Sequence, residues 1–277
     1  MSGASSVPKV FDANAVAAHQ ARARHLGAET FLLDRVAEDM ADRLAAVMRT
    51  FAHGIDVGTP ADAVRRALAS RSVLDAVPLA DDLRLAPQSC DLAVSALALQ
   101  FVDDLPGLFA QVRRALKPDG LLLAALAGGD TLTELRQAFA AAEAEIEGGI
   151  SPRVAPFADL RDLGGLLQRA GFALPVVDTD RLVVRYDSAF ALMADLRRMG
   201  ATNALAERRR GFTRRATLLR MAQIYAERFA DPDGRIRATF EIVWLSGWAP
   251  HASQQKPLKP GSAQARLEDA VRAARKA

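Results

Sequence analysis

The sequence contains very little cysteine: Cys90 is the single one among 277 residues. One cysteine excludes an internal disulfide and a metal site built from several cysteines. Cys90 precedes a predicted buried strand, so we interpret it as a small buried hydrophobic residue rather than a nucleophile. The four histidines show no metal-ligand spacing among themselves or with Cys90, and no metal site is predicted.

Long apolar runs are also absent. The longest uninterrupted one, residues 121–127, is far shorter than the roughly 20 residues that span a bilayer. Residues 1–14 include Lys9 and Asp12 and lack the apolar core of a secretory signal. A single cysteine fits a reducing compartment. These features together predict a cytoplasmic location.

Positive and negative charges are nearly balanced in the sequence. The sequence has 36 Lys and Arg residues and 33 Asp and Glu residues, a formal net charge of +3. With 50% apolar and 25% charged residues, the composition is that of a globular protein, and it excludes disorder over most of the chain. A net charge this small does not predict nucleic-acid binding, so the placement of the arginines matters more than their number.

The pattern of apolar residues predicts alternating strands and helices. Residues 1–50 are predicted to form N-terminal helices, with helical spacing over residues 14–26 and again from Thr30. Short β-branched or apolar segments then predict strands at residues 54–59, 72–77, 91–99 and 121–127. Helices are predicted after the first, third and fourth of these strands, at residues 61–70, 105–117 and 131–147. Thr131 and Glu134 match a capping box, which predicts that the last of these helices begins there. This order is typical of an open α/β sheet with right-handed crossovers.

The C-terminal half continues the pattern with a long helical segment. A helix is predicted at residues 159–170, one bent strand or two strands at 172–186, and a strand at 237–248. Between them, residues 188–229 are predicted to be mostly helical, with a break around residues 200–203. The predicted organisation is N-terminal helices over residues 1–50, an α/β domain over 51–250 with a helical insertion at about 188–231, and a tail over 251–277 with a short helix at 266–276.

A glycine-containing turn follows the first predicted strand, in Asp56-Val-Gly58-Thr59-Pro60. In nucleotide-binding α/β folds such a turn lets the backbone approach a ligand. An ordinary strand-to-helix turn has the same composition, so this pentapeptide alone leaves both interpretations open.

Motifs further along the chain favour the first interpretation. Residues 91–106, together with 116–120, resemble the central and fifth-strand region of class I S-adenosylmethionine-dependent methyltransferases. More specific motifs are similar to the bacterial relatives of mitochondrial complex I assembly factor 5, and more distantly to the methyltransferase of biotin synthesis that acts on malonyl-carrier protein. They lie at residues 128–136, 147–157, 162–166, 195–203 and 247–251.

This resemblance implies a Rossmann-like methyltransferase sheet with a helical cap insertion and S-adenosylmethionine as cofactor. The cofactor would lie across the carboxyl ends of the strands. Asp56, Gly58 and Thr59 would belong to the first binding motif. Asp82 would face the adenine, and Asp75 is the candidate acid for the ribose hydroxyls. The end of the fourth family strand would border the methionine part of the cofactor through Ser95, Ala96 and Leu97.

The sequence departs from the family pattern between residues 58 and 82. The usual second glycine of the first motif is replaced by Asp62. The interval from Asp56 to Asp82 is about half the family's usual length, too short for a complete strand–helix–strand unit. Gln100 and Phe101 stand where the family usually has His and Trp. These departures predict a sheet that lacks about one strand beyond strand 1. They also predict millimolar or undetectable binding of S-adenosylmethionine, since each charged hydrogen bond left unmade removes about 1.5–3 kcal/mol.

The resemblance leaves the reaction open. The first hypothesis is a methyltransferase-like protein with an unidentified acceptor, linked to complex I assembly. Hydroxylation of arginine, as in some relatives, is an alternative. A non-catalytic binding or assembly protein that has lost the cofactor is a hypothesis of a different class. No general base is predicted.

Five arginines lie within eight residues, from Arg208 to Arg215. A solvated helix end is one interpretation of this cluster. The other, which we predict, is a docking surface for an acidic protein partner or an anionic membrane. Few aromatic residues are interleaved with the arginines, which counts against single-stranded nucleic acid. Trp244 and Trp248 lie four residues apart on a predicted strand, where they would either pack in the core or line a substrate cleft.

Overall fold

The fold is that of a computed structural model, in which residues 8–156 and 160–255 are described. The helix predicted at residues 266–276 and most of the predicted tail lie outside these residues. Within them, the α/β class predicted from the sequence is confirmed. None of the helices in the described ranges has both the length and the apolar character needed to cross a membrane.

Six strands form one mixed sheet. They are β1 (His53–Val57), β2 (Val73–Val77), β3 (Cys90–Ala96), β4 (Leu116–Ala127), β5 (Ala173–Tyr186) and β6 (Ile236–Trp248). Their order across the sheet is β2-β1-β3-β4-β6-β5. The first four strands in this order are parallel, and β6 runs antiparallel between β4 and β5. Parallel strands therefore supply the carboxyl ends at which α/β folds place their ligands.

The sheet is short at the edge beyond β1, as predicted from the missing interval. β2 lies directly beside β1 and forms the sheet edge, and residues 78–89 contain neither helix nor strand. The edge is also poorly covered, because Val73 in β2 remains 67% exposed. One strand of the family's sheet is therefore absent from the described chain.

Helices cover both faces of the sheet. They are α1 (Ala13–His25), α2 (Phe31–Ala45), α3 (Ala63–Ala67), α4 (Leu105–Ala115), α5 (Thr133–Glu147), α6 (Leu160–Arg169), α7 (Ala189–Arg198) and α8 (Arg215–Phe229). Residues of α2, α3, α5, α7 and α8 share one hydrophobic core. Residues of α4 and α6 belong to a second core on the other face. Because β3 and β4 are covered on both faces, β3 is mostly apolar and residues 121–127 of β4 are entirely so.

The start of α5 differs from the prediction. The capping box is wrong: α5 begins at Thr133 after Leu132, which adopts the left-handed conformation at φ +55°. The Thr131 hydroxyl donates to the carbonyl of Glu241 at 3.0 Å and accepts from its N–H at 3.1 Å. The Glu134 carboxylate accepts from the N–H and hydroxyl of Thr239, at 3.1 and 2.5 Å. The motif therefore joins α5 to β6, a partner more than 100 residues away along the chain.

The insertion between β5 and β6 is less helical than predicted. Only α7 and α8 are α-helical. The predicted break at residues 200–203 is present, but the irregular segment extends over residues 199–214, so the helical prediction is wrong for residues 204–214. This irregular segment contacts the N-terminal helix region, since the Asp12 N–H donates to the Ala204 carbonyl at 2.8 Å and Phe11 bridges to Leu205. We call α1, α7 and residues 199–205 together the cap.

Candidate cofactor and acceptor site

Two adjoining cavities lie at the carboxyl ends of the parallel strands. The strand-end cavity, of about 550 Å³, lies beside β1, β2 and the loops that follow them. The cap cavity, of about 560 Å³, lies between the sheet and the cap. Both volumes are in the range of small-molecule sites. The two cavities share a boundary that includes Pro60, Asp62, Leu97 and Phe101.

Asp56 lies in β1 at the base of the strand-end cavity. Its side chain is only 1% exposed, and its Oδ2 accepts from Nη1 of Arg65 at 2.7 Å. The other carboxylate oxygen, Oδ1, is buried and has no partner with full hydrogen-bond geometry among the described residues, although the backbone and hydroxyl of Thr59 lie near the carboxylate. Burial raises the pKa of Asp56 above its ordinary value, although the neighbouring Thr59 and the charge of Arg65 act in the opposite direction.

The loop after β1 is fixed by its glycine. Gly58 has φ +74°, and a Cβ there would lie 3.0 Å from Cβ of Leu79 and 3.3 Å from Cβ of Ala98. Any other residue would be strained at this position. The Gly58 N–H donates to the Val77 carbonyl at 2.8 Å, which ties the loop to the end of β2. Gly58 and Thr59 both line the strand-end cavity.

Three site residues were predicted at the end of β3. One of them lines the cavities, and the other two hold the strand ends together beneath them. Leu97 has φ +51° and lines both cavities. Ser95 and Ala96 are buried and line neither of them. The Ser95 hydroxyl donates to the Val57 carbonyl at 2.7 Å, and the Ala96 N–H donates to the Thr59 hydroxyl at 3.1 Å. These bonds hold the ends of β1 and β3 together beneath the site.

The two remaining predicted acids lie outside the cavity lining. Asp75 pairs with Ile55 in the middle of β2, and its carboxylate lies 3.6 Å from Nε2 of His53. Asp82 accepts from the N–H of Arg84 at 3.0 Å. Of the two adjacent acids after β2, Asp81 is the one that lines the strand-end cavity. The adjacent pair of acids was visible in the sequence, but the fold of the loop decides which one faces the cavity.

Arg65 is the site residue that sequence reasoning missed. It lies in α3, nine residues after Asp56, and lines the strand-end cavity. Its neighbour Arg66 lines neither cavity and pairs with Asp62 at 3.0 Å. The negative charge that Asp62 places at the cavity boundary is therefore compensated within the chain. Alternation along a short helix could have suggested that only one of the two arginines faces the sheet.

The cap cavity is mainly apolar. Its lining includes aliphatic and aromatic side chains from α2, α5, α7 and β6, among them Leu32, Leu135, Phe139, Met193 and Phe240. An unpartnered acceptor also lies in its wall. Gln100 donates from Nε2 to the Leu97 carbonyl at 2.7 Å, while its Oε1 is buried and lacks a partner among the described residues.

Neither tryptophan lines the strand-end cavity or the cap cavity. Trp244 is buried in β6, donates from Nε1 to Asp180 at 2.8 Å, and lies under the guanidinium of Arg43, 4.4 Å from the ring centroid. Trp248 packs beside Phe51 with a centroid distance of 6.5 Å. The core interpretation of the pair is the one that the structure supports.

The arginine cluster is partly matched by acids of the same chain. Arg208 pairs with Asp12 at 2.9 Å, Arg210 approaches the same carboxylate at 3.7 Å, and Arg209 pairs with Glu147. The hydrogen bond from Arg208 lowers the pKa of Asp12 below its ordinary value. These pairs join the cluster to the start of α1 and the end of α5. These acids therefore reduce the repulsion among the arginines of the cluster.

Cys90 has the inert surroundings expected of a core residue. It is fully buried, and burial raises the pKa of its thiol to about 11. A thiol that remains protonated at neutral pH is a poor nucleophile.

Comparisons with known proteins agree with this geometry. A family model described as a methyltransferase domain matches residues 34–124. A crystal structure of a methyltransferase candidate from Bacillus halodurans C-125 superposes with a TM-score of 0.51 at 13% identity, covering 77% of this chain and 99% of that one. At such low identity the structural likeness shows the fold alone.

Two curated relatives are much more similar in sequence. "Arginine-hydroxylase NDUFAF5, mitochondrial" of Danio rerio is 37% identical over 263 residues, which cover 86% of this chain and 81% of the relative. "Malonyl-[acyl-carrier protein] O-methyltransferase" of Laribacter hongkongensis is 41% identical over 206 residues, covering 74% and 66% of the two chains.

These relatives correct one prediction and establish the family. The word mitochondrial in the name of the Danio rerio relative contradicts the predicted cytoplasmic location, which is wrong. A low cysteine content indicates a reducing compartment but does not distinguish among compartments that share this property. The identity over most of both chains shows that this chain belongs to the NDUFAF5 family of class I S-adenosylmethionine-dependent methyltransferase-like proteins.

Proposed function

We propose that this chain binds S-adenosylmethionine in the strand-end cavity and modifies an acceptor held in the cap cavity. The observation that carries the proposal is that the two cavities meet at Leu97 and the loop after β1. A group-transfer reaction needs two adjacent sites of this kind, because holding two reactants side by side supplies much of the rate enhancement.

The residues of the strand-end cavity fit the cofactor. The buried Asp56 contributes a carboxylate at the base of the cavity. Asp81 offers a second carboxylate on the loop after β2, and Arg65 offers a cation. Gly58 and Thr59 would hold the cofactor through the backbone of the loop. When bound, S-adenosylmethionine supplies an electrophilic methyl group.

The cap cavity would position the acceptor and exclude water. Its walls are mainly apolar, so an acceptor group would lose much of its hydration there. The unpartnered Oε1 of Gln100 would accept a hydrogen bond from an N–H or O–H of the acceptor. Since Gln100 follows Leu97 by three residues, this contact would lie close to the junction of the two cavities.

The partner process that we propose is assembly of respiratory complex I, as for the NDUFAF5 relatives. The 37% identity to the Danio rerio relative supports it. That relative's name also favours a second candidate reaction, hydroxylation of an arginine. Methyl transfer is favoured by the methyltransferase domain match and by the name of the Laribacter hongkongensis relative.

Mass spectrometry of complex I subunits would test both reactions. Subunits from cells with and without the chain would be compared for a gain of one methyl group or of one oxygen atom. Ala201→Trp would narrow the cap cavity and abolish the modification, whereas Ala216→Trp, at an exposed position outside both cavities, would not. Unchanged subunits and normal complex I in cells without the chain would overturn the proposal.

We also propose that the arginine cluster docks an acidic protein partner or an anionic membrane. Phe212 is 99% exposed between the arginines, and Arg210, Arg214 and Arg215 are exposed as well. Replacing Arg214 and Arg215 by Gln should weaken partner capture, and more so at low salt, because exposed charges are screened as salt rises. Capture that is unchanged at low salt would contradict docking.

A further inference from the structure

Part of the lining of the strand-end cavity comes from the N-terminal region. Phe11, Val16, Gln20 and Arg24 line the cavity together with the loops that follow β1, β2 and β3. These four residues belong to α1 or to the segment just before it. The cavity is therefore lined both by the sheet and by a helix that precedes the sheet in the chain.

The helix α1 is held in place by little apolar burial. Its only buried residues are two alanines, Ala15 and Ala23, whereas α2 buries six apolar side chains, among them Leu33 and Met40. Elements with few buried apolar contacts open at the lowest cost in free energy. Polar contacts must therefore contribute much of what keeps α1 beside the cavity.

We call residues 10–12 the strap, because they connect the loop after β3 with the insertion between β5 and β6. On the side of the sheet, the N–H groups of Val10 and Phe11 both donate to Oδ1 of Asp103, at 3.0 and 3.1 Å. The ring of Phe11 lies edge-on to that of Phe101, with a centroid distance of 5.7 Å. In the described chain, no other hydrogen bond joins the strap or α1 to the parallel strands or the loops after them.

On the side of the insertion, the strap is bonded more extensively. The Asp12 N–H donates to the Ala204 carbonyl at 2.8 Å, and the Ala206 N–H donates to the Val10 carbonyl at 2.9 Å. The Asp12 carboxylate also accepts from Arg208 at 2.9 Å. The insertion is irregular at these positions, so no helix there resists a motion together with the strap. Separation of the strap from the sheet therefore breaks the bonds to Asp103 first.

The strap lies where the two cavities meet. Phe11 and its neighbour Phe101 line both cavities, and Asp103 lines the strand-end cavity beside them. Release of the strap from Asp103 would therefore open the strand-end cavity at its junction with the cap cavity.

We infer that the strap is a latch, and that ligands enter and leave the strand-end cavity while the strap is released from Asp103. This inference rests on the proposed function, in which the ligand is S-adenosylmethionine, or S-adenosylhomocysteine after methyl transfer. It makes Asp103 a positioning residue that controls the rate of ligand exchange. The alternative role of the strap is that of a fixed wall, which only retains a ligand that enters by another route.

The two roles predict different kinetics for the same substitution. Through a latch, association and dissociation are both proportional to the fraction of time that the strap is open. Asp103→Ala removes the acceptor of both N–H groups, so both rate constants should rise by about 10-fold while the dissociation constant stays the same. With a fixed wall, the substitution would speed dissociation alone and would weaken binding by the same factor.

NMR line-shape analysis of a titration with S-adenosylhomocysteine gives the dissociation constant and both rate constants. Asp104→Ala is the matched control, because Asp104 caps α4 through the N–H of Gly107 and lines neither cavity. It should leave both rate constants unchanged. Asp103→Asn guards against a folding defect: it keeps a neutral acceptor, so both rate constants should rise by less than in Asp103→Ala.

Faster dissociation with unchanged association in Asp103→Ala, or no change in either rate constant, would overturn the inference while the proposed function stands. A wild type that binds neither S-adenosylhomocysteine nor S-adenosylmethionine would overturn both.

Discussion

The two sides of the sheet are built very differently. On one side, β1 and β2 have five residues each, and β2 forms an exposed edge. On the other side, β4, β5 and β6 have 12, 14 and 13 residues and pair along most of their lengths. The short side carries Asp56, Gly58, Arg65 and Asp81, which form the strand-end cavity. The groups that we propose to bind the ligand therefore lie on the side with the shorter strands.

Matched valine substitutions should show the largest difference between the two sides. Val243 is completely buried in β6, whereas Val73 is largely exposed in β2. Val243→Ala should lower the free energy of unfolding by about 2–3 kcal/mol, through lost apolar burial and a residual cavity. Val73→Ala should change it by less than about 0.5 kcal/mol. Urea denaturation of both variants gives the comparison, and similar losses in the two would contradict this account of the sheet.

The bond between α5 and β6 should show the next largest effect. Glu134→Ala leaves the buried N–H and hydroxyl of Thr239 without their acceptor, which should cost about 1–3 kcal/mol. The control is Glu145→Ala on the same helix, whose exposed carboxylate pairs with Arg220 and should contribute much less. If thermal denaturation shows equal losses for both, the long side does not depend on this buried contact.

A glycine pair tests the loop of the strand-end cavity. Gly58→Ala requires a left-handed backbone and a close contact with Leu79, so it should destabilise the protein by about 1–3 kcal/mol and weaken binding of S-adenosylmethionine. Gly129→Ala meets no atom within 4 Å and should leave binding unchanged. Circular dichroism melts and calorimetric titration measure the two effects. Unchanged binding in Gly58→Ala would show that the cofactor does not contact this loop.

The contributions of two carboxyl groups, Asp56 in the strand-end cavity and Glu143 on α5, to the free energy of unfolding should change with pH in opposite directions. The raised pKa of Asp56 means that its contribution to stability is present below the ordinary carboxyl value of 3.8 and is lost as pH rises above it. For Glu143, burial raises the pKa, but hydrogen bonds from Ser151 and Arg153 outweigh it and lower the pKa below 4.5. Its contribution is therefore present above 4.5 and is lost as pH falls below that value.

Two isosteric variants allow these opposite pH dependences to be measured. Relative to the wild type, Asp56→Asn should gain stability as pH rises from acid to neutral. The stability deficit of Glu143→Gln should shrink as pH falls through the same range. Denaturant melts at several pH values would show the two trends, and trends of the same sign would contradict the assigned environments.

The sequence predicted those parts of the fold that depend on local pattern. β3 and β4 are apolar because both faces are buried, and the shortened interval after Asp56 correctly indicated a missing strand. The capping box failed because Thr131 bonds Glu241, a partner that only the folded sheet brings near. The break at residues 200–203 was predicted, but the irregular residues 204–214 were missed because their conformation depends on contacts with the residues that precede α1.

The site was predicted less completely for the same physical reason. Asp56, Gly58, Thr59 and Leu97 could be placed because they follow strand ends. Arg65 faces the cavity because the position of α3 brings its side chain to Asp56. No sequence motif predicts which residue of α3 does so. The choice between neighbouring acids after β2 depends on a bond from Gln111 to the Asp81 carbonyl, which sets the loop.

Titration of the wild-type protein with S-adenosylmethionine tests the central claim most directly. The sequence alone predicted millimolar or absent binding, but Arg65 and Asp81 supply charges that the motif lacked. We therefore expect one site per chain with a dissociation constant between about 10 μM and 1 mM, a free energy of about 4–7 kcal/mol. No heat of binding and no rise in melting temperature with several millimolar S-adenosylmethionine would contradict the account that the strand-end cavity is a working cofactor site.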